Sequence, residues 1–236
     1  MSPEEPALDV FHSIMGSWYE SLKDPPQYQT RVLLELIEDY KKTHYGRDHH
    51  ASEVREIADF RAKFPIIDYK TLNPYFSQVQ NGNYTTILPE PVVCWVMTRG
   101  STGRAKVLPA TETHLKQIFL CGARAFVNYI IRKKDFDLIS GRILNLNFPS
   151  RVHTTIIDGR TENYGYSSGT YAKINPMLGE VSLLPRQDDI DALGPGITKR
   201  DWERRFELVY EQALNENVTA AMGVTPVILS FAKHVQ

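Results

Sequence analysis

The chain is short of the features that mark several common protein classes. Only 2 of its 236 residues are cysteine. Cys94 and Cys121 stand in apolar surroundings without metal-ligand or redox spacing, so they read as buried, reduced thiols. No apolar run approaches the roughly 20 residues needed to span a bilayer. The acidic, proline-bearing start, Met1-Ser2-Pro3-Glu4-Glu5-Pro6, lacks a signal-peptide pattern. The expectation is a soluble, cytoplasmic protein without a membrane partner. Charge of one sign is also lacking: 27 basic residues face 28 acidic ones, for a formal net charge of −1. The basic residues form no stripe, which argues against a nucleic-acid partner. Internal repeats and low-complexity linkers are missing as well.

What is present is the material for a mixed α/β core. Hydrophobic residues make up 42% of the chain, enough at this length to bury a sizeable interior. Residues 1–65 read as a helical segment and residues 66–236 as an α/β core, a sheet flanked by helices. In the first part Pro25-Pro26 is expected to end one element. Thr30 is then expected to cap a helix carrying Leu33, Leu34, Ile37 and Tyr40 on one face. A further helix is expected over residues 52–62, capped by Ser52, and a short helix or turn over 68–75.

From Val92 the pattern changes. The consecutive apolar residues of Val92–Met97 suit a strand covered on both faces. A short strand at Val107-Leu108 follows, then a long helix capped by Thr111 or Thr113, with Leu115, Ile118, Phe119, Phe126 and Ile130 inward. Other strands are expected at 143–148, 152–157, 181–184 and 218–224. Thr198-x-x-Asp201 opens an amphipathic helix with Trp202, Phe206, Val209 and Ala213 on its buried face and Arg204-Arg205 outward. Thr225-Pro226 opens the last helix.

The run Thr98-Arg99-Gly100-Ser101-Thr102-Gly103-Arg104-Ala105-Lys106 concentrates phosphate-binding chemistry directly after the Val92 strand. Glycines let main-chain N–H groups turn toward an anion. Hydroxyls donate hydrogen bonds, and arginine and lysine neutralise charge. The spacing differs from a Walker A loop, and it lacks the third glycine of a dinucleotide turn. Taken alone, the run has one alternative reading, a polar turn between two strands. Tyr166-Ser167-Ser168-Gly169-Thr170-Tyr171-Ala172-Lys173 has similar composition without the second glycine or a preceding apolar strand, and reads as an ordinary polar loop. His44, His49 and His50 read as solvated or hydrogen-bonded side chains and Asp188-Asp189-x-Asp191 as a solvated acidic turn; no metal site is expected.

The glycine run resembles the phosphate loop of acyl-adenylate-forming enzymes, roughly S-S-G-T-T/S-G-x-P-K. Gly100, Gly103 and Lys106 match outright, and Thr98, Ser101 and Thr102 match in type. Arg99 replaces a serine and Ala105 a proline. Upstream stand Thr43-His44-Tyr45-Gly46-Arg47-Asp48-His49 and Pro65-Ile66-Ile67-Asp68-Tyr69-Lys70-Thr71-Leu72-Asn73-Pro74-Tyr75. Their order resembles the Gretchen Hagen three family of auxin-responsive acyl-acid amido synthetases. Phenylacetate–coenzyme A ligase-like enzymes share the layout.

The resemblance implies the N-terminal part of an adenylate-forming fold and an ATP-dependent ligase. Such an enzyme makes an acyl-adenylate from a carboxylic acid and passes the acyl group to an amino acid or to coenzyme A. It implies ATP and Mg2+. Thr98, Arg99, Gly100, Ser101, Thr102 and Gly103 would hold the phosphates, and Lys106 would act as the catalytic cation. The family's later motifs find no counterpart here, so the resemblance also implies a partner in the C-terminal remainder of the same enzyme, without which the chain would be inactive. The alternative is a binding or assembly module that keeps the fold without ATP chemistry.

Overall fold

A computed structural model describes residues 4–99, 105–176, 178 and 183–236. The chain divides into two compact units: residues 1–93 with 109–114 and 156–161, and residues 94–108 with 115–155 and 162–236.

The first unit is mainly helical: α1 (Glu4–Ser21), α2 (Pro25–Tyr40), α3 (His44–Asp48), α4 (Ile57–Lys63) and α5 (Tyr69–Gln80). The two prolines that were expected to end an element instead begin α2. Asp24 caps that helix by accepting a hydrogen bond from the Gln27 N–H at 3.2 Å. Proline suits the first turn because its missing N–H has no intrahelical partner there. Thr30 lies inside the helix, its hydroxyl donating to the Pro26 carbonyl at 2.9 Å. Ile37 then packs with Ala51 and Val54, flanked by Leu33, Leu34, Phe60 and Phe64. The helix expected over 52–62 is split into a 3-10 turn (Ala51–Glu53) and α4, whose capping box joins Glu56 and Asp59.

Two stretches that carry the family resemblance prove to be corners of this unit. Thr43 is 1% exposed, and its hydroxyl donates to the Tyr40 carbonyl at 2.7 Å while accepting from the Gly46 N–H at 2.9 Å. A Cβ on Gly46 would lie 2.1 Å from the Tyr40 carbonyl oxygen, so only glycine lets α3 fold back on α2. Asp68 caps α5 through the Thr71 N–H at 3.0 Å. His49 stacks on Tyr45 with ring centroids 4.2 Å apart and lies 5.3 Å from the Phe64 ring, so it belongs to an aromatic cluster.

The described residues form two sheets. One has strand order β2-β1-β5-β4, from β1 (Val92–Met97), β2 (Val107–Thr111), β4 (His153–Ile157) and β5 (Arg160–Tyr166). The β1–β5 pairing is parallel, with Val96 opposite Gly165 and Met97 opposite Tyr166. Trp95, Val96 and Met97 are all buried, but Val93 is 56% exposed, so only the second half of the apolar run is covered on both faces as expected. The other sheet is parallel with order β6-β3-β7. It is built from β3 (Arg142–Leu146), β6 (Leu183–Leu184) and β7 (Val218–Gly223).

Helices α6 (Glu112–Lys133), α7 (Ser167–Ile174), α8 (Gln187–Ala192), α9 (Lys199–Ala213) and α10 (Thr225–His234) complete the fold. Leu146, Phe148, Phe206, Val209, Val227 and Phe231 form one core, with Trp202 and Tyr166 packed against it. The Thr198–Asp201 capping box of α9 forms as expected. Arg205 corrects the expectation of an exposed charged pair, because it is 3% exposed while Arg204 lies outside. Its guanidinium donates to the carbonyls of Asp201, at 3.0 Å, and Gly194. Burial pushes its pKa down, opposed by the nearby carboxylates. The cysteines also depart from the expectation of buried thiols: Cys121 is exposed and Cys94 is half-buried.

The segment that leaves β3 is fixed by buried polar groups. Asn145, 0% exposed, donates to the Pro185 carbonyl and to Gln187 Oε1, both at 3.2 Å. Its own oxygen accepts from the Asn147 amide at 2.9 Å. Gln187 donates to the Phe148 carbonyl at 3.1 Å. Asp191 accepts from the Ser150 N–H at 2.7 Å and from its hydroxyl. The acidic stretch at 188–191 is therefore no solvated turn: α8 turns Asp191 inward, with its side chain only 3% exposed. Lys173 from α7 bonds Asp188 and lies 3.5 Å from Asp191.

Two measurements check this packing. A Cβ on Gly169 would sit 1.8 Å from the Phe148 carbonyl oxygen and 2.9 Å from Gln187 Nε2. Gly169→Ala should therefore lower stability by roughly 1–3 kcal/mol or more in urea unfolding; an unchanged midpoint would mean the two backbones do not meet. The Lys173 hydrogen bond is the main reason the Asp188 carboxyl is held below the ordinary carboxylate range. A lowered folded-state pKa stabilises above the unfolded value, about 4, and the gain is lost as pH falls through the folded value. Lys173→Met should thus be less stable than wild type at neutral pH, with the gap narrowing on acidification below about pH 4. A gap constant down to acid pH would refute the link.

Candidate functional site

The glycine run leaves the sheet at the C-terminal end of β1, and its neck is closed by two hydrogen bonds. The Thr98 N–H donates to the Lys106 carbonyl at 2.9 Å, and the Lys106 N–H donates to Thr98 Oγ1 at 3.1 Å. Thr98 thus works from both its main chain and its side chain, as a residue fixing the entrance of a loop must. Arg99 is exposed, and its guanidinium carbon lies 4.3 Å from the centroid of the Phe148 ring. Lys106 is exposed at the far side of the neck, next to half-buried Ala105. Gly100, Ser101, Thr102 and Gly103 lie outside the described residues.

The parallel register brings a second hydroxyl-rich segment to the same edge. Met97 stands opposite Tyr166, so the residues after each strand leave the sheet side by side. After β5 these are Ser167, Ser168 and Gly169, the first turn of α7. The segment expected to be an ordinary polar loop is therefore a helix preceded by a strand. The strand escaped notice because Arg160-Thr161-Glu162-Asn163 is polar on both faces. The signal that reveals it is the Asp158-Gly159 turn, with φ of 47° and 73°, the pair that a two-residue hairpin prefers. The carboxyl edge of adjacent parallel strands is where open α/β sheets place their ligands.

Electrostatically the neck is cationic, with Arg99 and Lys106 a few residues apart. Cys94 on β1 offers no nucleophile near neutral pH, since burial pushes its thiol up to about 11. Tyr171 on α7 is pushed up to about 12, first by burial and then by Cys94. The cations and hydroxyls fit a polyphosphate. They supply no carboxylate for magnesium, and the described residues hold no cluster of three or more His, Cys, Asp or Glu suited to a metal. Among the described residues no helix is long and apolar enough to cross a membrane.

Comparison with known proteins identifies the family. Residues 15–187 match the family model described as the GH3 family N-terminal domain. A probable indole-3-acetic acid-amido synthetase from Oryza sativa subsp. japonica is 26% identical over 144 residues, 59% of this chain and 23% of that protein. A jasmonoyl–L-amino acid synthetase from Nicotiana attenuata is 24% identical over 138 residues, 56% of this chain and 23% of that one. Among solved structures, an acyl acid amido synthetase in complex with 2,4-DB superimposes with a TM-score of 0.68 at 18% identity. That superposition covers 99% of this chain and 38% of the other. The matched regions thus span about a quarter of the curated relatives, and the fold is that of an acyl acid amido synthetase's corresponding part. The chain belongs to the GH3 family, through its N-terminal domain.

Proposed function

We propose that this chain is the N-terminal part of an ATP-dependent acyl-acid amido synthetase, comprising a helical segment over 1–65 and an incomplete α/β core over 66–236. The observation that carries the reading is the Thr98–Lys106 neck, which holds the glycine run at the carboxyl end of a buried parallel strand.

In the proposed reaction a substrate carboxylate oxygen attacks the α-phosphorus of ATP, and the bond to the bridging oxygen breaks. Pyrophosphate leaves with its electron pair. An amine then attacks the acyl carbonyl and expels AMP. The first step builds charge on the departing pyrophosphate, so fixed cations and donors lower its barrier more than covalent help would. Thr98 holds the loop entrance, and Gly100, Ser101, Thr102 and Gly103 cradle the β- and γ-phosphates. Arg99 and Lys106 carry the neutralising charge. Magnesium, where it takes part, would offset charge on the phosphates, bound through the nucleotide. The acceptor is an amino acid rather than coenzyme A, a choice supported by the amido and amino-acid synthetase names of the relatives.

A second reading is a non-catalytic module, favoured by one observation: Arg99 and Ala105 stand where the family pattern has serine and proline. Calorimetric titration with ATP separates the two. Under the synthetase reading ATP binds, Lys106→Ala weakens it by roughly 10- to 100-fold, as expected for a lost charge-assisted contact, and Thr98→Val by about fivefold. The module reading predicts no lysine-dependent binding. Because the chain matches only part of its relatives, ATP–pyrophosphate exchange by this chain alone is expected to stay at background; robust turnover with a carboxylic acid would refute that expectation.

A further inference from the structure

Phe148 is 4% exposed, and one face of its ring lies under the Arg99 guanidinium at 4.3 Å. The ring has almost no freedom to move. Trp202 meets it edge-on at 4.9 Å and 75°, and Tyr166 lies 4.9 Å away. The Trp202 indole N–H is itself held by the Gly196 carbonyl at 3.1 Å. On the main chain, the Phe148 N–H donates to Ser168 Oγ at 3.3 Å and its carbonyl accepts from Gln187 Nε2 at 3.1 Å. The next carbonyl, that of Pro149, accepts from the Tyr166 N–H at 3.0 Å.

A guanidinium lying over an aromatic face keeps its in-plane N–H donors directed outward around its rim. Among the described residues Arg99 enters no ion pair with a carboxylate. Holding the side chain in one place before an anion arrives reduces the ordering cost on binding. A serine at this position needs no such platform, because its short hydroxyl is placed by the main chain. An arginine, with its long flexible stem, does.

We propose that Phe148 is a positioning residue, holding Arg99 as a preorganised fork for the polyphosphate of the nucleotide. The proposal rests on reading residues 98–106 as a phosphate loop. Its test is a double-mutant cycle by calorimetry, titrating ATP and inorganic tripolyphosphate into the wild-type chain, Arg99→Ala, Phe148→Leu and the double variant, with Lys106→Ala beside them. Phe148→Leu should weaken both ligands about three- to tenfold when Arg99 is present, and should add nothing in the Arg99→Ala background. Equal loss in both backgrounds would make Phe148 merely structural and overturn the proposal. Lysine-dependent binding that ignores Phe148→Leu would overturn it while leaving the phosphate loop standing. Absence of any binding by wild type would bring down both.

Trimming a buried ring can unfold a protein, so a second measurement uses the native chain. In the wild type, ring currents should shift the Arg99 δ-methylene proton resonances upfield. Tripolyphosphate should move the Arg99 Nε–H signal while that shift persists. Unshifted δ protons, or loss of the shift on binding, would overturn the platform.

Discussion

Asn145 is wholly enclosed, and a wholly enclosed amide must find partners or destabilise the fold by about 1–3 kcal/mol for each group left bare. Here it finds them in the Pro185 carbonyl, in Gln187 and in Asn147. Gln187 passes the constraint to Phe148 and to Asp191, which grips Ser150. The exit of β3 is thereby welded to α8 and to the first turn of α7. Such networks are costly when incomplete and stiffening when complete. Through Phe148 the stiffness reaches Arg99, the first residue past the neck of the glycine run.

The motifs that carry the family resemblance divide into two kinds. Thr43, Gly46 and Asp68 are local architecture: a cap, a close approach of backbones, and another cap. They say which fold this is, and nothing about chemistry. Thr98 and Lys106 are where the proposed function puts a ligand, because the two hydrogen bonds between them, one main-chain and one to the Thr98 hydroxyl, close a loop at a sheet edge.

Much of this was readable in the sequence where one local rule dominates. The β1 run, the Thr198–Asp201 capping box and the α10 proline all sit where short-range signals place them. The part Thr98 plays at the neck was legible only through the family resemblance, and its tie to Lys106 had no local signature. The failures share a cause, which is that burial is decided by partners distant in sequence. Arg205 looks like surface beside Arg204 until the carbonyls of Gly194 and Asp201 fold over it. Asp191 looks solvated until Ser150 arrives. β5 opens on Arg160-Thr161-Glu162-Asn163, polar on both faces, and is held between β1 and β4. α7 was missed with it, so half of the hydroxyl-rich edge went unseen. The platform under Arg99 joins residues 49 positions apart and has no local signature.

The double tie between Thr98 and Lys106 also bears on how freely this region can change. A ring of chain fastened at its base pays for extra length only slowly, about 0.6 kcal/mol for each doubling. Lengthening the stretch between Thr98 and Lys106 is therefore a smaller disturbance to the scaffold than breaking either tie, so insertions should be absorbed between the two fastenings and not at them.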